Sequence, residues 1–337
     1  VESSKRDCDD DKISCKRDLE DFARLQIRVD EITAERMPFE YYFKIEKEGN
    51  ETPPNLNLFE AVKWNQFYIH LDPKDDDSSL IDNQLNKRKL VSVNQSKEMF
   101  AMINPQKGSW GYVHPYLFEG STSGKGKIVL IVKGKDQNGN IVEICRKEAK
   151  IHLEPIDYFY DKYVLDIQDY DDDIPDSQAY LGSAAGYSGD PNSNDYILFV
   201  HGWNWNMWEK KRYTETMFKR LWWQGYKGKF GLFSWPNLRI SFWPWDWFGF
   251  FQQYDRSELR AWRSAEALKK TLNQIKGNIG NGRLSLLAHS QGNVVAGESI
   301  RKAEANTVYG YLAFQAAMSR HFYDQKEDEP TNYPPTN

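Results

Sequence analysis

The sequence predicts a two-part chain: a parallel-sheet α/β domain over residues 195–337, preceded by an all-β, sandwich-like domain over 22–154. Three observations predict it. From residue 196 on, short continuously apolar runs alternate with stretches of helical period. Before residue 154 the apolar period is two and no long helical period occurs. Between the two lies a stretch, 155–194, in which Gly, Ser, Asn and Asp dominate, and it reads as a flexible spacer.

In the β part, Phe39, Tyr41, Phe43 and Ile45 alternate with Glu40, Lys44 and Glu46, the pattern of a half-buried strand. Ile69 and Leu71 alternate with Tyr68 and His70 in the same way. Residues 127–134 and 140–153 form two further strand patterns around Asn138-Gly139, a hairpin signal because both residues tolerate positive φ. Several strands with turn punctuation suggest a sandwich. Residues 1–21, rich in Asp, read as an acidic linker or tail.

In the α/β part, Tyr196–Val200 is apolar at every position, as a strand covered on both faces must be. Tyr213, Met217, Phe218, Leu221 and Trp222 follow at helical spacing, with Gly225 placed to end that helix. Residues 229–235 form the next strand. A second helix opens at Asp255 and Glu258, a capping-box spacing, runs through Leu259, Trp262, Ala265, Leu268, Leu272 and Ile275, and stops at Gly277. Residues 283–289 read as a strand, 292–305 as a helix and 308–317 as a strand.

Composition narrows the function classes. The 337 residues are 40% hydrophobic and 28% charged, a globular balance. Net charge is −5, without a dominant Lys/Arg block, so the footprint of a nucleic-acid binder is missing. No window of 18 uninterrupted apolar residues occurs, so no transmembrane segment is expected. The chain opens on Val1 without a charged-then-apolar leader, so a leader was removed or the chain is a fragment. Cys8 and Cys15 either pair across a short loop, which suits an oxidising compartment, or stay free in a frayed terminus. No zinc spacing is present, and no cofactor is expected. Asp7, Asp9 and Asp11, like Asp169, Asp171 and Asp173, have the alternate spacing of calcium loops but lack the turn glycine, and read better as solvated acidic linkers.

Two motifs carry chemistry. Ala288-His289-Ser290-Gln291-Gly292 lies between an apolar strand and a helix. A tight turn there strains the serine's backbone and projects its Oγ above the sheet. Ala288 and Gly292 supply the small residues that such a turn needs on both sides. The second motif, His201-Gly202-Trp203-Asn204, follows the strand at 196–200. Gly202 lets the chain come close to a reacting group. His201 reads as a buried structural histidine, and His289 as pointing away at the bend. Two helices, a strand and an insertion fit between the motifs. Ten of the 12 Trp residues lie between 203 and 262, many in that insertion. Trp235, Trp243, Trp245 and Trp247 read either as a substrate pocket or lid for an apolar group or as plain packing.

Together these motifs resemble the lipase/esterase branch of the α/β-hydrolase superfamily, in particular secreted bacterial proteins that place such a domain after β-sandwich modules. The resemblance covers about 120 residues. It implies Ser290 as nucleophile and the backbone amides of Trp203 and Gln291 as oxyanion donors. It implies a serine hydrolase of carboxylic esters, lipid-like or otherwise apolar, with an extracytoplasmic location. In the superfamily, an acid and then a histidine follow the nucleophile. Here 47 residues follow Ser290, with His321 as their sole histidine and Asp324 as a poor candidate acid. The domain therefore reads as C-terminally incomplete, with the catalytic histidine past residue 337. The competing reading is a non-catalytic surface or adhesion protein that uses an incomplete hydrolase scaffold.

Overall fold

The computed structural model describes residues 23–29, 39–60, 89–101, 106–108, 111–165, 179–238 and 247–318. The chain divides into two compact units, Val1–Ile156 and Asp157–Asn337.

The first unit contains two antiparallel sheets among its described residues. Strands β1 (Ala23–Val29), β3 (Leu56–Glu60), β4 (Lys89–Val93), β6 (Gln106–Gly108) and β7 (Gly111–Gly120) form one, in the order β1-β7-β3-β4 with β6 also on β7. Strands β2 (Glu40–Lys47), β5 (Met99–Ala101), β8 (Gly124–Lys135) and β9 (Ile141–Leu153) form the other, ordered β5-β2-β8-β9. The period-two pattern of β2 buries Tyr41, Phe43 and Ile45 on one face. Phe43 and Ile45 share a core with Leu56, Leu58 and Tyr116 of the other sheet. The rings of Phe43 and Tyr116 meet edge-on at 5.6 Å.

The β8–β9 turn differs from a two-residue hairpin. Gly139 has a φ of 80°, but Asn138 does not enter the left-handed region. Asp136 organises the turn instead: its Oδ1 accepts from the amides of Asn138 and Asn140, both at 2.8 Å. The strand expected through Ile69 and Leu71 lies outside the described residues, as do both Asp clusters and residues 1–21.

The second unit is built on one six-stranded sheet. Its elements are β10 (Tyr160–Val164), β11 (Tyr180–Ser183), β12 (Tyr196–Val200), α1 (Met207–Trp223), β13 (Lys229–Ser234), α2 (Trp247–Ile279), β14 (Leu284–His289), α3 (Gly292–Lys302) and β15 (Gly310–Phe314). The strand order is β11-β10-β13-β12-β14-β15. Every pairing is parallel except β10 with β11. From β12 the chain steps to β13 on one side; from β13 it returns past β12 to β14 on the other. The loops after β12 and β14 therefore open side by side at a switch point, where parallel sheets place their ligand crevices. Leu198, Val200, Leu284, Leu286 and Ala288 lie in the core with Leu268, Leu272 and Ile275 of α2.

Three expectations are corrected. The segment read as a spacer contributes β10 and β11 to this sheet, because Tyr160, Tyr163 and Leu165 are buried in it despite the polar residues around them. Helix α2 begins at Trp247, eight residues before Asp255, so Asp255 and Glu258 lie inside it; Gly277 is also inside, and Gly280 at φ 56° follows the helix end. Helix α1 buries Lys210, Thr214, Glu215 and Phe218, while Tyr213 is exposed. Its N-cap, Asn206, forms a capping box with Glu209.

Candidate active site

Ser290 sits on the single bend between β14 and α3, with a φ of 51°. A β-carbon in the left-handed region costs about 1–2 kcal/mol, so tertiary bonds must hold it there. They do. The Ser290 amide donates to the Phe314 carbonyl at 3.0 Å. The Ser290 carbonyl accepts from the Asn293 amide at 3.0 Å, from Asn293 Nδ2 at 2.9 Å and from the Ala317 amide at 3.2 Å. Asn293 Nδ2 also reaches the Phe314 carbonyl at 3.3 Å, and Tyr311 Oη donates to Asn293 Oδ1 at 2.6 Å. The bend is thus clamped by α3 from one side and by the end of β15 from the other.

The small residues have separate causes. Ala288 is wholly buried in the core. A β-carbon at Gly292 would collide with the His201 carbonyl and stand 2.8 Å from that of Val200. A β-carbon at Gly202 would stand 2.6 Å from His289 Nδ1 and 3.2 Å from Ser290 Cβ. Two glycines, one from each loop, therefore allow the chain after β12 to lie directly against the serine bend. Asn204 in that chain has a φ of 63°, and Gln315 after β15 a φ of 43°. Three of the four non-glycine residues with positive φ among the described residues thus lie in the loops at this sheet edge.

His201 is wholly buried. Its Nε2 accepts from the Trp235 amide at 3.1 Å, so the proton is on Nδ1, which donates to the Gly202 carbonyl at 2.7 Å. Burial, with Lys210 nearby, holds its pKa well below the usual histidine value. A neutral imidazole with both nitrogens engaged is a strut, not a base. His289 stacks on Trp205 at 5.3 Å, and its Nε2 lies 3.1 Å from Gln315 Oε1.

Trp235 is a correction to the pocket-or-lid reading. It has no exposed surface, stacks on His201 at 5.3 Å and donates from its indole to the His201 carbonyl at 2.7 Å. Trp243 and Trp245 lie outside the described residues. Trp247 opens α2. Trp203, half-buried, meets the ring of Tyr254 edge-on at 4.9 Å. Gln291 is wholly buried, with its Nε2 3.4 Å from the Tyr254 carbonyl.

Beneath the site, Lys210 Nζ donates to the Trp235 carbonyl at 3.0 Å and to Ser234 Oγ at 3.4 Å. Burial, helped by Lys162, lowers its pKa to about 8. The sequence pattern gave no sign of Lys210, Asn293 or Tyr254, because each acts through a fold-dependent contact. His321 and Asp324 lie outside the described residues. Among the described residues, no cluster of His, Cys, Asp or Glu could hold a metal, and no helix is long and apolar enough to cross a membrane.

Residues 190–316 match a protein family described as an alpha/beta hydrolase of unknown function. No curated protein matches the chain. One solved structure, described with the words "The active site of a carbohydrate esterase displays divergent catalytic and non-catalytic binding functions", is similar over 87% of this chain and 81% of its own, with 8% identity and a TM-score of 0.23. That likeness is too weak to assign a fold or an activity.

Proposed function

With an α/β-hydrolase domain at residues 190–316 as the premise, we propose that this protein is a serine hydrolase that cleaves carboxylic esters through Ser290. The observation that carries the reading is the left-handed Ser290 with Gly202 packed against it. In this reading Ser290 Oγ attacks the ester carbonyl, and a histidine outside the described residues takes its proton. The amides of Trp203 and Gln291 receive the oxyanion. The alcohol leaves, and water then releases the acyl group from the serine. His201 serves as a brace, with Gly202, Ala288 and Gly292 shaping the bend. An apolar acyl group suits the aromatic residues of the insertion, and the two antiparallel sheets at the N-terminus serve as a sandwich-like module. No step is routed through a metal or cofactor.

Ser290→Ala in the full-length protein should lower turnover of p-nitrophenyl butyrate by about 10⁶. It should also prevent labelling by a fluorophosphonate probe. Ser290→Gly should be equally inactive yet more stable than Ser290→Ala by about 1 kcal/mol, because glycine tolerates the left-handed backbone. Unchanged turnover in Ser290→Ala would leave the non-catalytic scaffold as the better account.

A further inference from the structure

We infer that Tyr254 is the positioning residue that aims both proposed oxyanion donors at one point. This inference rests on the reading of Ser290, Trp203 and Gln291 given above. The two donors come from different loops, one after β12 and one after β14. Strand pairing ends at Val200 with Ala288, so the ladder does not fix Trp203 relative to Gln291. Tyr254 touches both. Its ring stands edge-on to the Trp203 indole, at 4.9 Å and 87°. Its carbonyl faces Gln291 Nε2 at 3.4 Å. Gln291 is wholly buried, and among the described residues its Oε1 has no hydrogen-bond partner, while its Nε2 donates to the Tyr254 carbonyl. Edge-on aromatic pairs hold a preferred geometry rather than merely filling space.

An oxyanion hole acts only when both amides converge on the charge that develops. A displacement of about 1 Å at such a site costs about a hundredfold in rate. Tyr254 lies two turns into α2, a helix anchored in the core by Leu268, Leu272 and Ile275. It therefore gives the two loops a common rigid reference. The ring, not its hydroxyl, carries the contact with Trp203.

The test uses the full-length protein, p-nitrophenyl butyrate as substrate and phenylboronic acid as a mimic of the tetrahedral adduct. Tyr254→Leu should lower kcat about tenfold to a hundredfold while KM stays within about twofold, and should weaken phenylboronic acid by a similar factor. Tyr254→Phe should behave as wild type. Gln291→Met, which keeps the amide and the side-chain length, gives a second reading and should also lower kcat more than it raises KM. A wild-type kcat in Tyr254→Leu would overturn the inference, as would a Tyr254→Phe variant as slow as Tyr254→Leu. Should Tyr254→Leu fail to fold, a wild-type kcat in Gln291→Met would overturn it as well. Ser290→Ala separates the two levels. An inactive Ser290→Ala beside a fully active Tyr254→Leu removes this inference alone. An active Ser290→Ala removes the hydrolase reading and this inference with it.

Discussion

Lys210 is a cation folded into an interior that offers it a carbonyl and a hydroxyl. Its native pKa falls to about 8, below the usual lysine value, mainly because burial strips its hydration. The folded chain thus binds fewer protons than the unfolded chain between about pH 8 and the ordinary lysine pKa of about 10.4. The penalty of the buried charge is fully present below pH 8. It is relieved as pH climbs through that value, so stability gains a rising component from this residue. Urea unfolding at pH 7.5 and pH 9.5 should therefore show a higher midpoint at pH 9.5, relative to the trend in Lys210→Met. A Lys210→Met variant with the same pH slope as wild type would contradict this assignment. The residue escaped sequence reading because a lysine in an amphipathic helix is expected to face solvent. Ser290 did not escape it, because small neighbours and a strand-to-helix change mark such a bend in the chain itself.

Helix α1 shows which features of an element the sequence carries. Its presence was legible from the spacing of Phe218, Leu221 and Trp222, and its end from Gly225, which takes a φ of 97°. Its buried face was not, because Thr214 is buried by bonding its own helix: its Oγ1 donates to the Lys210 carbonyl at 2.6 Å. Its start rests on two reciprocal bonds, Glu209 amide to Asn206 Oδ1 and Asn206 amide to Glu209 Oε2, each 2.8 Å. Asn206→Ala removes the side-chain half and should cost about 1 kcal/mol, read as a lowered thermal midpoint. Asn206→Asp should restore most of it. Equal stability of Asn206→Ala and wild type would show that the box contributes nothing. In α2, the Asp255–Glu258 pair imitated a helix start, yet the helix had already run two turns from Trp247.

At the scale of the molecule, the first unit ends at Ile156, two residues past the end expected for the β part, while the second unit takes in the stretch from Asp157 to residue 194 that composition marks as a spacer. Low apolar content hid β10 and β11, since a five-residue strand needs only a few buried side chains. Tyr163 and Leu165 supply them to the core around Phe233 and Trp235. A fragment that begins at residue 157 should therefore melt cooperatively, whereas one that begins at 195 loses those contacts and uncovers β13. The loss is on the order of 5 kcal/mol, or about 10–20 °C in thermal midpoint. Circular dichroism melts of the two fragments provide the measurement, and equal midpoints would mean that β10 and β11 are dispensable. The bend at Ser290 and the close approach of Gly202 were legible, because two local motifs mark them. The clamp on that bend was not, because Phe314 and Ala317 act through main-chain groups that carry no residue signature, and the side-chain bonds of Asn293 go to carbonyls that only the fold brings near.

Those bonds make the serine's posture hostage to the last described strand. If Gly310–Phe314 peels from the sheet, the amide of Ser290 loses its acceptor and the bend is free to relax into an ordinary turn. Partial fraying at that margin, well short of global unfolding, would release the Ser290 backbone while leaving the rest of the domain intact.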